Sequence, residues 1–146
     1  MKPAKTTISA ATDFIVTTTI IVADVARSAA FYRKVFDATV LWKGEPTLLR
    51  LGNTWLMINR GGGPTDDKPR VVASPPRHRN VLSSFINLRV KDISRCYKLW
   101  RSRGAHFLTE PKVHDSEIRC YIRDPDGYLI EVGQDTDTPR PLEAYR

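Results

Sequence analysis

With 146 residues, 41% hydrophobic and 27% charged, the chain has the make-up of a soluble globular protein with material for one sizeable core. Its net charge of +7 (23 Lys and Arg against 16 Asp and Glu) raises the question of anionic partners, but the basic residues are spread out and no helix-turn-helix, zinc-finger or RNA-binding sheet motif is legible. No apolar run nears the ~20 residues of a membrane helix; no apolar signal core follows Lys2 and Lys5, and Cys96 and Cys120 are too few for a disulfide framework or a zinc site, so a cytoplasmic protein with no membrane or nucleic-acid partner is expected.

Residues 1–13 are polar and read as a tail. Phe14 to Val22, rich in Ile, Val and Thr, reads as a strand. Asp24 stands where a helix N-cap belongs, because its carboxylate can accept from the first free backbone N–H groups. Val25, Ala29, Tyr32, Val35 and Phe36 follow at helical spacing, and Asp37-Ala38 ends the helix. Thr39–Lys43, Thr47–Leu51 and Thr54–Asn59 read as three short strands, with Gly44-Glu45-Pro46 and Gly52-Asn53 as turns.

Residues 61–80 hold a Gly triplet, Asp66-Asp67 and several Pro, and read as a long, partly mobile connection. The triplet lacks the Lys-Ser/Thr ending of a phosphate loop. Val81 to Val90 is the next strand; Asp92 caps a helix whose buried face is Ile93, Cys96, Tyr97 and Trp100, and Gly104 stops it. Ala105–Leu108, Ile118–Ile122 and Tyr128–Val132 are further strands, the last two joined by the turn Asp124-Pro125-Asp126-Gly127. Residues 134–146 read as a second tail.

The chain therefore says nearly the same thing twice. Val22-Ala23-Asp24-Val25-Ala26-Arg27 and Val90-Lys91-Asp92-Ile93-Ser94-Arg95 are offset by 68 positions (92 minus 24), each between a strand and a helix. Two copies of one supersecondary unit are implied. The fold class expected is α+β: two β-α-β-β-β units, 14–60 and 81–133, in one domain over 14–133, forming an open, cleft-containing barrel.

This repeat resembles the vicinal oxygen chelate superfamily, which includes glyoxalase I, extradiol dioxygenases, fosfomycin-modifying enzymes and bleomycin-resistance proteins. The resemblance is carried by residues 22–32 and, more specifically, by Tyr121-Ile122-Arg123-Asp124-Pro125-Asp126-Gly127-Tyr128-Leu129-Ile130-Glu131-Val132. It implies a divalent metal held by His, Glu or Gln from the first and last strands of each unit. The first-strand slots, seven residues before each capping Asp, fall on Thr17 and Phe85; the last-strand slots fall on Glu131 and near Met57, Ile58 or Asn59. One strong donor among four does not make a hard-cation site, so no metal is expected. His78, His106 and His114 fall in no such slot, although a loop bearing His114, Asp115 and Glu117 could fold over the cleft. Family members often dimerise, sometimes sharing the cleft between subunits, so a homodimer is implied.

Strand alternation assigns the cleft lining. Thr17, Thr19, Phe85, Asn87 and Arg89 face it, joined by Glu131 and by Trp55 or Asn59. Apolar walls with a few placed polar groups suit a small molecule. Arg89 either clamps an anionic or carbonyl oxygen beside Glu131 as general base, or forms a structural ion pair; spacing leaves both open. Cys96 reads as buried and inert, and Cys120 has no His poised to activate it. The function implied is metal-free binding of an aromatic or anionic compound, as in drug-sequestering members of the superfamily. The alternative is an enzyme of lyase, isomerase or dioxygenase type. It would use Glu131 with a loop His and a metal, or acid–base chemistry by Glu131 and Arg89 alone.

Overall fold

Asp24 and Asp92 do what their positions predict. In the computed structural model, which describes residues 14–136, each Oδ1 accepts the N–H three residues on, at 2.9 Å from Arg27 and 2.9 Å from Arg95. They start α1 (Val25–Phe36) and α2 (Ile93–Ser102). Around α1 lie β1 (Thr18–Val22), β2 (Thr39–Trp42), β3 (Thr47–Leu51) and β4 (Thr54–Arg60). Around α2 lie β5 (Ile86–Arg89), β6 (His106–Phe107), β7 (Lys112–Val113), β8 (Glu117–Arg123) and β9 (Leu129–Asp135). Residues 1–13 and 137–146, read above as tails, lie outside the described residues.

The first sheet runs β1-β4-β3-β2 and the second β5-β9-β8-β6, with β7 also paired to β8. In both, the strand before the helix lies parallel to the last strand of its unit and the remaining pairs are antiparallel. This is the α+β arrangement of two β-α-β-β-β units with mixed sheets, the second carrying one extra two-residue strand, β7. Among the described residues the sheets do not close into a barrel, and β1 and β5 remain edge strands.

The short strand β7 is not expected from the sequence, and several boundaries differ from the expectation. Phe14, Ile15 and Val16 stay exposed outside β1 and bury no face. β5 starts at Ile86 rather than Val81, because its parallel partner β9 begins only at Leu129. β9 continues to Asp135, past the expected boundary, paired with β8 down to Glu117. The connection after β4 is tied by paired bonds between Gly62 and Ala73, both 2.9 Å, rather than left as plain linker.

The helix-facing side of each sheet supplies the core. Ile20, Val22, Leu49, Leu56 and Ile58 lie under α1, while Cys120, Ile122, Ile130 and Val132 do the same in the second unit, within one apolar cluster. Phe36 and Trp100 meet edge to face at 5.0 Å and join the helices.

The turn between β8 and β9 clasps the first unit. Buried Tyr32 donates its hydroxyl to Asp124 Oδ2 at 2.9 Å, and burial holds that phenol well above its ordinary pKa, so it stays a donor. Asp126 accepts from Ala23 N–H at 2.8 Å and Ser28 Oγ at 3.0 Å. The Tyr128 hydroxyl accepts from Ile21 N–H at 3.1 Å and donates to Ile21 C=O at 2.9 Å, satisfying part of the free edge of β1.

Candidate functional site

Register places the charged residues of the second unit on one face. Asn87, Glu131 and Tyr121 are cross-strand neighbours, as are Arg89, Gly133 and Arg119, and then Asp135 and Glu117. Because side chains alternate, this whole set points away from α2. Arg89 lies across Gly133, where a Cβ would stand 1.9 Å from its Nη1; only a bare backbone lets the guanidinium in.

That guanidinium is fully engaged. Its Nη1 donates to Glu117 Oε2 at 2.9 Å and lies 3.6 Å from Glu131 Oε1, and its Nη2 donates to Asp135. Arg119 reaches the other Glu117 oxygen at 2.8 Å. The side chain of Arg89 is 15% exposed, so these are half-dry ion pairs rather than surface ones. The hydrogen bond from Arg119, then that from Arg89, holds Glu117 below the ordinary carboxylate range. Tyr121 donates to Glu131 Oε2 at 2.6 Å; burial first and this bond second push its phenol up to about 12.

An Arg89 fork matched by Glu117 and Asp135 has its charge answered inside the protein. The geometry therefore fits the ion-pair alternative, with Arg89 holding the floor of the face. Glu131 is left with one oxygen on Tyr121 and the other toward Arg89.

A divalent metal does not fit these residues. Phe85 presents a ring 6.3 Å from that of Tyr121 where a donor would stand, and Thr17 lies exposed before β1. Glu131 already has its partners. His106 pairs across from Arg123 at the far end of β8, and the His114 backbone closes a turn onto Glu117. Among the described residues no three His, Cys, Asp or Glu side chains gather as a donor set.

A cleft of about 460 Å³ opens between the edge strands β1 and β5. Thr19, Phe85 and Asn87 line it, with Asn53, Ser84 and Tyr128. Asn87 links it to the charged face, as cross-strand neighbour of Glu131. Thr17, Trp55, Asn59, Arg89 and Glu131 are not among its lining residues. Trp55 and Asn59 stand instead on the open face of the first sheet, with Met57 and Thr19 between them in register. Trp55 is 38% and Trp42 61% exposed there.

The expected lining thus divides between the cleft, the charged face and the aromatic face. Tyr121 and Asp135 are neighbours of the site that the sequence reading passes over, while Glu117, expected in a loop with His114 and Asp115, instead opens β8 and pairs with Arg89. Counting outward from the Asp124–Gly127 turn along an antiparallel hairpin places Tyr121 opposite Glu131 and Glu117 opposite Asp135, so a signal for them existed. Neither thiol is primed for chemistry: burial raises Cys96 and pushes buried Cys120 up to about 11.

Comparisons with known proteins point one way. The family model described as the Glyoxalase/Bleomycin resistance protein/Dioxygenase superfamily matches residues 14–132. A putative lactoylglutathione lyase from Brassica oleracea var. gemmifera is 27% identical over 130 residues, covering 83% of this chain and 44% of that protein. The chain thus spans less than half of that relative. A metallothiol transferase FosB from Bacillus licheniformis is 27% identical over 113 residues, 76% of this chain and 68% of that protein. Among solved structures, a glyoxalase/bleomycin resistance protein/dioxygenase from Nocardioides superposes with a TM-score of 0.72 at 19% identity, covering 93% of this chain and 91% of that one. The fosfomycin resistance protein FosX from Mesorhizobium loti gives 0.60 at 18% identity, covering 91% and 98%. These structures share the fold.

Proposed function

The chain belongs to the glyoxalase/bleomycin resistance protein/dioxygenase superfamily, and from that premise we propose that it binds a small planar molecule without the superfamily's metal. One observation carries this reading. Glu131, the last-strand carboxylate, is held by Tyr121 at 2.6 Å and faces Arg89 at 3.6 Å, with an aromatic ring at Phe85 instead of a second donor. The charged face carries three carboxylates (Glu117, Glu131, Asp135) against two guanidinium groups (Arg89, Arg119), which favours a neutral or weakly polar aromatic ligand over a strongly anionic one there. Trp42, Trp55 and Phe85 supply exposed rings for stacking.

In this reading the chain works in the cytoplasm and as a homodimer, its folded unit running from residue 14 to the end of β9 at Asp135. No helix among the described residues is long and apolar enough to cross a membrane. Light scattering on the eluted protein tests the dimer, and a monomer at working concentration rejects it.

The experiment for binding is a panel of neutral and anionic aromatic compounds titrated into chelator-treated protein and followed by tryptophan fluorescence. Saturable binding that ignores the chelator, and that Trp55→Ala weakens about tenfold, supports the proposal. Binding that appears only after a divalent cation is added refutes it.

The Tyr121–Glu131 bond also favours a second reading, acid–base catalysis with Glu131 as base and Tyr121 positioning it. Turnover abolished in Glu131→Gln with ligand affinity kept would move the chain from binding protein to enzyme.

A further inference from the structure

On the far end of β8, apart from the cleft and independent of the reading above, we propose that Arg79, His106 and Arg123 form an oxyanion site for the phosphate group of a small phosphomonoester. A pocket of about 290 Å³ lies there, lined by Phe31, Arg79, Gly104, His106, Arg123 and Asp124 among others. That is the small end of ligand pockets, roughly 300 to 1,000 Å³.

The charges in it are arranged for an anion. Arg123 Nη1 donates to two backbone carbonyls, Arg79 C=O at 2.8 Å and Gly127 C=O at 3.2 Å. Neutral acceptors fix the guanidinium in place and leave its positive charge unanswered. Gly127, at φ 98°, has no side chain, and a Cβ there would stand 3.8 Å from Arg79 Nε and 3.9 Å from Arg123 Nη1. Two cationic head groups therefore converge on one bare glycine. His106 adds a third nitrogen-bearing side chain as the cross-strand neighbour of Arg123.

The one carboxylate in the lining does not answer them. Asp124 is 3% exposed, and its oxygens already accept from the Tyr32 hydroxyl and from the N–H groups of Asp126 and Tyr128. Among the described residues neither Arg79 nor Arg123 has an ion pair, which is also true of Arg33, Arg50, Arg70, Arg77, Arg95 and Arg101; what sets these two apart is that both guanidinium groups stand beside Gly127. Converged like charges without a counterion repel, and a bound oxyanion relieves that repulsion while matching two planar forks. Phe31 offers an apolar flank, which favours an organic ester over the bare ion.

The test uses the whole chain and three probes: inorganic phosphate, phenyl phosphate and a single-stranded oligonucleotide. Amide shifts at Gly104 and Gly127 are followed by NMR. The expected result is saturable shifts confined to this end of β8, tighter for phenyl phosphate than for phosphate. Arg79→Ser, an exposed position, should weaken phenyl phosphate about tenfold with the melting temperature unchanged. Equal affinity for both phosphates would make the occupant the free ion and overturn the ester assignment. Oligonucleotide binding that strengthens with length, or shifts unchanged by Arg79→Ser, would overturn the site itself.

Discussion

The two units share a frame and differ in what they present on the face opposite the helix. In the first, Trp42, Leu48, Trp55 and Met57 put aromatic and apolar side chains on that face beside Thr19, Arg50 and Asn59. In the second, the equivalent face carries Arg89, Glu117, Arg119, Glu131 and Asp135 in one ion network. On the helix side the units are alike, with Leu56 and Ile58 in one matching Ile130 and Val132 in the other, all fully buried. The helix side is constrained by packing density, which tolerates little change of volume. The other face is not held by core packing in the same way, and so it can diverge within one fold.

Substitutions separate those two kinds of face. The largest effect belongs to the shared core: Leu56→Ala and Ile130→Ala should each cost about 3 kcal/mol in urea unfolding, similar in either half. Unequal costs of several-fold would break the symmetry argued here. Arg89→Met comes next, at about 2 kcal/mol near pH 7, because it leaves Asp135 without its guanidinium partner and Glu117 with Arg119 alone. Its pH dependence follows from Glu117, whose pKa is lowered on folding. That contribution is present above the unfolded carboxylate pKa and is lost as pH falls through the folded value. The wild-type protein should therefore lose stability on acidification more steeply than Arg89→Met, and parallel profiles would count against the network.

Tyr121→Phe removes one hydrogen bond to Glu131 and should cost about 1 kcal/mol by the same assay. Trp55→Ala, on the aromatic face, should change the stability of the isolated chain by less than about 0.5 kcal/mol while weakening ligand binding. A large loss of stability there would mean the face is core rather than binding surface.

The frame was legible in the sequence because its signals are local. Asp24 and Asp92 lie next to the helices they cap, and the Asp124–Gly127 turn is contiguous. Alternation correctly set Ile20 and Val22 against Thr19, and Ile86 and Leu88 against Asn87. β7 was invisible because it is two exposed residues, Lys112 and Val113, whose only cue is their partner β8. Glu131 was named as a partner of Arg89, but its two others were missed for a different reason. Glu117 and Asp135 lie 28 and 46 residues away, and strand register alone brings them in. Asp135 also fell in a stretch read as tail, since charge next to Thr and Pro resembles a terminus until β8 pairs with it. Glu131 could be placed by its motif, whereas its engagement by Tyr121 emerges only when the hairpin register is counted outward from the Asp124–Gly127 turn.

The most direct measurement of the central claim is the metal content of protein purified without chelator, by elemental mass spectrometry, followed by titration with zinc, manganese and nickel. The account predicts far less than one equivalent per chain and no stoichiometric uptake, since Glu131 is engaged by Tyr121 and Arg89 and Phe85 supplies no donor. One equivalent of a transition metal per chain, lost in Glu131→Gln, would contradict it and make Glu131 a ligand.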